Sequence, residues 1–306
     1  KIWNNLVHTG FTALGFGTSK AAPWRGGANA HTTITFGTDV TVEGKALPAR
    51  TYGFFIAMGN GEATLIFSNN STSWGSFFYD PKEDALRVNV KTEPLQESVE
   101  WLKYEFTDET PNSAVIALSW EKRRIPFTVT IEREKLQIAA FKNDFRTTRD
   151  YLDYVTAVNW CLRNNYDLEQ ALAWIDRGTY FRIMGRQNFT TLGTKASVLF
   201  ALKRDDEAKK LMQDALPMGN TLEVHFYGRQ LLIENEVDEA FKIFKYNYDK
   251  HPKEYTTNVG MGRAWSSKGD FKKSLTHLKY ALSVAPDECA KRNLEGLIKL
   301  AEEGKN

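Results

Sequence analysis

Cysteine, histidine and charge of one sign are all scarce in this chain, and each scarcity closes a route. Only two cysteines, Cys161 and Cys289, occur in 306 residues. No disulfide framework can form from them, and no cysteine-based zinc site without other ligands. Both fall in apolar helical patterns, which predicts buried free thiols. The five histidines, His8, His31, His225, His251 and His277, have no H-x-x-H or H-E-x-x-H spacing and no cysteine neighbour, so no metal centre is expected. A phosphate loop, a dinucleotide fingerprint and a G-x-S-x-G elbow are all missing, and no cofactor is expected. Gly15-Phe16-Gly17 lacks the following helix and reads as a flexible turn. Net charge is only +2, without the clustered Lys/Arg excess that phosphate backbones demand, which argues against a nucleic-acid partner. No apolar run reaches the ~18 residues of a membrane-spanning helix.

What is present points to a globular chain of two domains. Apolar residues make 42% and charged residues 25%, and 19 Phe, 12 Tyr and 8 Trp supply large core side chains. The length is about twice the commonest domain size.

The apolar period changes once. Up to residue 132 it is two, as in strands. Thr32 to Phe36 and Val40 to Val42 are β-branched runs, followed by a turn at Glu43-Gly44. Tyr52 to Ala57 and Ala63 to Phe67 flank Gly59-Asn60-Gly61, a hairpin signal because these residues tolerate positive φ. Leu86, Val88 and Val90 share one face, as do Leu102, Tyr104 and Phe106. Ala114 to Trp120 and Ile125 to Ile131 are two further strands, with Pro111-Asn112 before the first and the charged Glu121 to Arg124 between them. Short strands without crossovers predict an all-β antiparallel sandwich or jelly-roll-like domain over residues 1–135. The segment from Trp3 to Asn29 is the expected cover for an open sheet edge.

From residue 136 to 306 the period is 3.6 and the domain is expected to be all-α. Gly228 and Gly262 are 34 residues apart, as are Ala240 and Ser274, and Pro252 and Pro286. That is the spacing of a tetratricopeptide repeat. The glycine lets a second helix approach, Ala240 or Ser274 sits at the same crossing, and Phe244 or Leu278 fills the groove beside it. The proline stops the helix. Two looser units precede, from Phe189 to Asn220 (Ala196, Ala208, Met212, Ala215) and from about Leu152 to Thr179 (Asn159, Ala171, Ile175). The 32 residues between Ala208 and Ala240 imply a shortened inter-repeat loop. Cys289 to Leu300 reads as the capping helix that an open stack requires. Such a stack serves contacts with a protein or peptide partner.

Chemistry has two candidate homes in the β-domain. Glycoside hydrolysis needs two carboxylates facing one cleft, and Asp80, Glu83, Asp84, Glu93, Glu97 and Glu105 are available, although turns and polar strand faces give them a solvated reading. The second home is Pro23-Trp24-Arg25-Gly26-Gly27-Ala28-Asn29, short and glycine-rich, with His31 close by. Arg25 can meet a carboxylate or phosphate in bidentate fashion. Trp24, Arg25, Asn29, Tyr52, Trp74 and Tyr79 are together the candidate ligand-binding residues, for a glycan or a peptide. The competing reading is an internal salt bridge for Arg25 and a plug of the sandwich end for Trp24.

Trp24-Arg25-x-Gly27-Ala28-Asn29, Thr32-Thr33-Ile34 and Val40-Thr41-Val42-Glu43-Gly44-Lys45-x-Leu47-Pro48-Ala49-x-Thr51-Tyr52-Gly53 together resemble family 2911 in the series of domains of unknown function, widespread in Bacteroidota. The likeness continues through Trp74-Gly75, Tyr79-Asp80, Leu86-Arg87-Val88 and Ser119-Trp120-Glu121. Members often carry a helical tail with the Asn159-Trp160 and Leu168-Glu169-x-Ala171-Leu172-x-Trp174-Ile175 patterns found here. The resemblance implies an export or lipoprotein signal preceding Lys1, hence a periplasmic, envelope-bound or secreted protein, and implies no activity. Ala30 and His31 depart from the family pattern, and Phe11 to Ala22 lacks its Pro-Tyr-Gly turn. The combined expectation is an extracytoplasmic binding or scaffold protein that holds a protein through its helical repeats. The alternative is a hydrolase or carbohydrate-binding protein that acts on envelope glycan through its β-domain.

Overall fold

The computed structural model describes residues 3, 7–147 and 150–305. The chain divides into two compact units, Lys1–Ala140 and Phe141–Asn306.

The first unit is a β-sandwich. Its strands are β1 (Thr33–Phe36), β2 (Val40–Val42), β3 (Lys45–Leu47), β4 (Arg50–Met58), β5 (Glu62–Ser68), β6 (Asp84–Lys91), β7 (Glu93–Thr107) and β8 (Ser113–Thr130). They form two antiparallel four-stranded sheets, ordered β1-β4-β5-β6 and β3-β2-β8-β7. A jelly roll would send successive strands to alternate sheets; here β4, β5 and β6 are consecutive neighbours in one sheet, so the sandwich is the form adopted. Tyr52, Phe54, Ile56, Leu65, Phe67 and Val88 of one sheet pack against Val42, Leu47, Leu118, Ile125 and Phe127 of the other. Phe127 meets both Phe54, at 5.8 Å between ring centres, and Phe67, at 6.0 Å.

Strands β4 and β5 are buried at nearly every position, which explains why their sequences are continuous apolar runs rather than alternating ones. Their second face holds Phe55, Ala57 and Ile66 against Ala22, Tyr79 and Leu14. The N-terminal segment covers the stretch of β4 that β1 leaves open. Gly10 N–H donates to Met58 O at 2.8 Å, and Trp24 and Ile56 exchange backbone bonds of 3.1 and 2.7 Å. The β2–β3 turn has positive φ at both Glu43 (49°) and Gly44 (75°), the two-residue hairpin geometry that matches strand twist.

One expected break is missing. Glu121 to Arg124 does not separate two strands; β8 runs through it. The irregularity is a bulge, with Glu121 at φ 47° and the pairing with β7 shifting register there. The charges are accommodated across the ladder instead of in a turn, with Arg124 Nη1 2.6 Å from Glu93 Oε2 on β7.

Ten helices follow among the described residues. They are α1 (Arg133–Asp144), α2 (Tyr151–Asn164), α3 (Leu168–Tyr180), α4 (Phe189–Ala201), α5 (Asp205–Ala215), α6 (Thr221–Ile233), α7 (Val237–Lys250), α8 (Tyr255–Ser267), α9 (Phe271–Ser283) and α10 (Glu288–Glu302). Helices α2 to α9 form four hairpins. The inner turn of each holds left-handed backbone: Asn165 (47°) and Asp167 (48°) in the first, then Lys203 (62°), Asn235 (63°) and Gly269 (78°) in the others. Asn188 and Asn220 start α4 and α6 with reciprocal capping boxes, satisfying otherwise orphaned N–H groups.

The crossings are as tight as the small residues require. A Cβ on Gly228 would lie 2.7 Å from Phe244 Cζ, and one on Gly262 would lie 2.5 Å from Leu278 Cδ2. Ser274 is buried and its hydroxyl donates to Gly262 O at 2.8 Å. The short spacing before Ala240 does not come from the loop. Helix α5 stops at Ala215, where a 3-10 turn carrying Pro217 ends it, whereas α7 runs to Lys250. Helix α10 closes the stack, burying Leu294 and Ala301 against Val259, Leu278 and Ala281. The cysteines are free, but only Cys161 is buried; Cys289 is exposed, because it lies in the first turn of the terminal helix. No helix among the described residues is long and apolar enough to cross a membrane.

Candidate functional site

The glycine-rich loop is a built structure. Gly26 adopts φ 62° and accepts the Tyr104 hydroxyl on its carbonyl at 2.6 Å, and a Cβ at Gly26 would sit 2.7 Å from that same hydroxyl. Gly27 O accepts from the Trp24 indole N–H at 3.0 Å. Trp24 is 6% exposed, stacked on Trp120 (6.1 Å between ring centres, 21° between planes) and edge-on to Trp3. It does plug this end of the sandwich. Arg25 makes no internal salt bridge among the described residues. Its Nε is enclosed without a hydrogen-bond partner, and burial lowers its pKa.

Beside this loop opens a cleft of about 550 Å³, lined by Trp24, Arg25, Gly27 and Ala28 on one side and Glu100, Trp101 and Trp120 on the other. Trp101, on β7, is 81% exposed, and Trp120, on β8, donates its indole N–H to Glu100 O at 3.1 Å. Of the six expected residues, only Trp24 and Arg25 line it. Asn29 and Trp74 meet each other instead, Trp74 Nε1 donating to Asn29 Oδ1 at 3.3 Å, with Trp74 stacked on Phe77. Tyr52 and Tyr79 belong to the interior. Tyr52 is 1% exposed and donates to Pro48 O at 2.8 Å. Tyr79 packs on Phe55 and donates to Asp84 Oδ2 at 2.9 Å, and its burial and the Asp84 carboxylate hold its hydroxyl well above the usual pKa. Neither lies at the ligand surface that the sequence predicts: the inner face of β4 carries Tyr52 into one apolar cluster, and the loop between β5 and β6 turns Tyr79 into the other. Trp101 and Trp120 are the aromatics that sequence reasoning missed. The signal was there for Trp101, since Leu102, Tyr104 and Phe106 share one face and therefore put Trp101 on the other.

The candidate carboxylates have local duties. Asp80 caps the short 3-10 turn at Pro81–Glu83, and Asp84 is bonded to Arg87 and Tyr79. Burial is the leading cause of its raised pKa. Glu83 accepts from Asn70 at 3.1 Å, and Glu93 and Glu105 pair with Arg124 and Lys103. His31 lies over Gly53 and against the Phe55 ring at 4.7 Å. No group of three metal-ligating side chains occurs among the described residues.

The helical unit carries a feature that the sequence reading did not foresee. Leu222, Phe226 and Ile233 on α6 are 51%, 54% and 75% exposed, and their spacing, with exposed Arg229 between them, puts all four on one helix face. A cavity of about 330 Å³ adjoins this face, lined by Arg229 and Ile233 from α6, Gly262, Arg263 and Ser266 from α8, and Leu297 from α10, among others.

Solved structures similar to the chain include YrrB, described as a TPR protein with an unusual peptide-binding site. It is 20% identical, with a TM-score of 0.29, and the match covers 51% of this chain and 98% of that one. A tetratricopeptide repeat protein from Parabacteroides merdae is 15% identical, with a TM-score of 0.35, over 56% of this chain and 69% of that one. The tetratricopeptide character of the helical unit stands on its own 34-residue spacing and the glycine crossings that realise it. No curated protein matches the chain. Residues 1–129 match the family described as "Protein of unknown function (DUF2911)", so the resemblance carried by the Trp24-to-Gly53 motif extends over nearly all of the β-sandwich.

Proposed function

We propose that the protein is a binding or scaffold protein that holds a protein partner on its helical repeats. The observation that carries this reading is the apolar stripe of α6. A helix packed on one side has no folding reason to expose Leu222, Phe226 and Ile233 together, and such a patch is the ordinary mark of a contact surface. The test is site-directed photo-crosslinking in native extract with the full chain. A benzophenone side chain at position 226 should give discrete protein adducts that Ile233→Asp removes, and the same group at exposed position 245 on α7 should not. Equal labelling from both positions would refute the reading.

A second reading belongs to the β-unit. The cleft between Trp24, Trp101 and Trp120 has the aromatic walls and the single cation of a site for a glycan or other cyclic polyol. Calorimetry with envelope glycan fragments should give binding that Trp101→Ala weakens by about ten-fold, in keeping with the loss of one aromatic platform. Heats unchanged by Trp101→Ala would count against the cleft. Hydrolysis is the less favoured form of this reading, because Asp84, Glu83, Glu93 and Glu105 already have local partners. An extracytoplasmic home, whether periplasmic, secreted or lipid-anchored, is favoured by the export signals usual in the family that the β-unit resembles. Fractionation of native cells tests it.

A further inference from the structure

We infer that α6 and α8 receive an extended segment of a partner protein that carries an internal Asp or Glu side chain flanked by large apolar residues. This inference rests on the proposed role of the helical repeats and names the chemistry that they would select.

Arg229 and Arg263 are 34 residues apart, each immediately after the glycine of a helix crossing. Because Gly228 is pressed on Phe244 and Gly262 on Leu278, the backbone bearing each arginine is fixed, and both arginines line the same cavity. Their electrostatic setting is two cations on one cavity. Several cations of the repeats have carboxylate partners, such as Lys195 with Asp176, Arg204 with Glu207, Lys242 with Glu239 and Lys268 with Asp238. Among the described residues neither Arg229 nor Arg263 forms a salt bridge, and Arg263 Nε is enclosed without a hydrogen-bond partner. The charge felt by Arg263 is mainly that of Arg229, which adds to burial in lowering its pKa. Both arginines also help to keep the nearby buried His225 neutral. Two like charges converging on one cavity without a counter-ion define a place where a carboxylate is missing, and a guanidinium is the group best shaped to bind one.

The apolar stripe says what surrounds that carboxylate. Phe226 lies on one side of Arg229 and Ile233 on the other. With a rise of about 1.5 Å per residue they are roughly 10 Å apart along α6, about three residues of an extended chain. An acid that meets Arg229 therefore has apolar neighbours within about two positions on both sides. A chain terminus would leave one side of the stripe uncovered, which selects an internal acidic residue over a terminal carboxylate.

The test uses the full chain and fluorescent heptapeptides blocked at both ends. One set carries a central Asp or Glu between Leu and Phe, a second carries Asn or Gln there, a third replaces the apolar flanks by Ser, and a fourth has a neutral centre and a free C-terminal carboxylate. The first set should bind, the second and third at least ten-fold more weakly, in line with a charge-assisted bond. Arg229→Gln should abolish the preference for the first set over the second, and Arg229 is exposed enough for the variant to fold, which thermal unfolding checks. Equal binding of the first two sets would overturn the inference while leaving a peptide-binding role intact. A preference for the fourth set would overturn it in favour of a chain terminus. If no set binds while crosslinking from position 226 still yields protein adducts, the acidic-segment inference fails alone; if crosslinking fails as well, both readings fall.

Discussion

At the scale of single residues, glycines with no freedom to be anything else explain most of the packing. Gly262→Ala drives a methyl into Leu278 and Gly228→Ala drives one into the Phe244 ring. Each should cost about 1–3 kcal/mol in chemical denaturation, more than the roughly 1 kcal/mol that alanine gains in helix propensity. Pairing Gly228→Ala with Phe244→Leu should restore part of the loss, and an additive double mutant would contradict the proposed clash. The same reasoning explains Gly53, where a Cβ would strike the Asn70 carbonyl and His31 Nε2. The family motif ends on that glycine, yet no local rule predicts it, because Asn70 is distant in sequence. His225 is a residue with a sign to its pH dependence. Burial, then Arg263 and Arg229, depress its pKa to about 4. The folded state therefore binds fewer protons than the unfolded state below pH 6.5, and the helical unit loses stability as pH falls from about 6.5 towards 4, by up to about 3 kcal/mol. Subtracting the pH profile of His225→Gln from that of the wild type should isolate this slope.

Among the elements, turns were more legible than bulges. Gly61, Gly44 and Asn235 favour positive φ and adopt it, and the chain turns there, with Glu43 drawn into the same conformation beside Gly44. Glu121 does not favour it and has no glycine beside it, so its charge run predicts a loop where the strand in fact continues. Lys203 is the comparable misfit in the helical unit, standing at φ 62° where the other inner turns use Asn, Asp or Gly. Lys203→Gly should stabilise the α4–α5 hairpin by about 0.5–1 kcal/mol, measured as a rise in denaturation midpoint. No gain would mean that the side chain of Lys203 holds contacts worth as much as the strain. Helix lengths were also hidden. The repeat period predicted that something near α5 is short, but Pro217 in the following turn, rather than a trimmed loop, is what shortens it.

For the whole molecule, the two architectures were readable because a change of period from two to 3.6 survives any detail of packing. The sites were not, because both are assembled from distant parts of the chain. Trp24 and Trp101 face one cleft from a loop and an edge strand that alternation alone cannot bring together, and Arg229 meets Arg263 only when consecutive hairpins stack. The stack's end behaves by the same logic. Truncation after Pro286 would strip Leu294, Leu297, Ile298 and Ala301 from the cluster around Val259 and Leu278. Hydrogen exchange should then quicken in α8 and α9 and spare α2 to α5, as nearest-neighbour stacking requires. Uniform acceleration would show the helical unit to be one cooperative body. The ring of Phe244 sits between Gly228 of its own hairpin and Gly260 of the next, with a Cβ at Gly260 only 2.5 Å from its Cδ1. It acts as a dowel through two plates: the third and fourth hairpins cannot slide or rotate past each other without withdrawing it. The interval between the two arginines is thus machined into the scaffold before any partner arrives, and a ligand that fits it has no hinge to close.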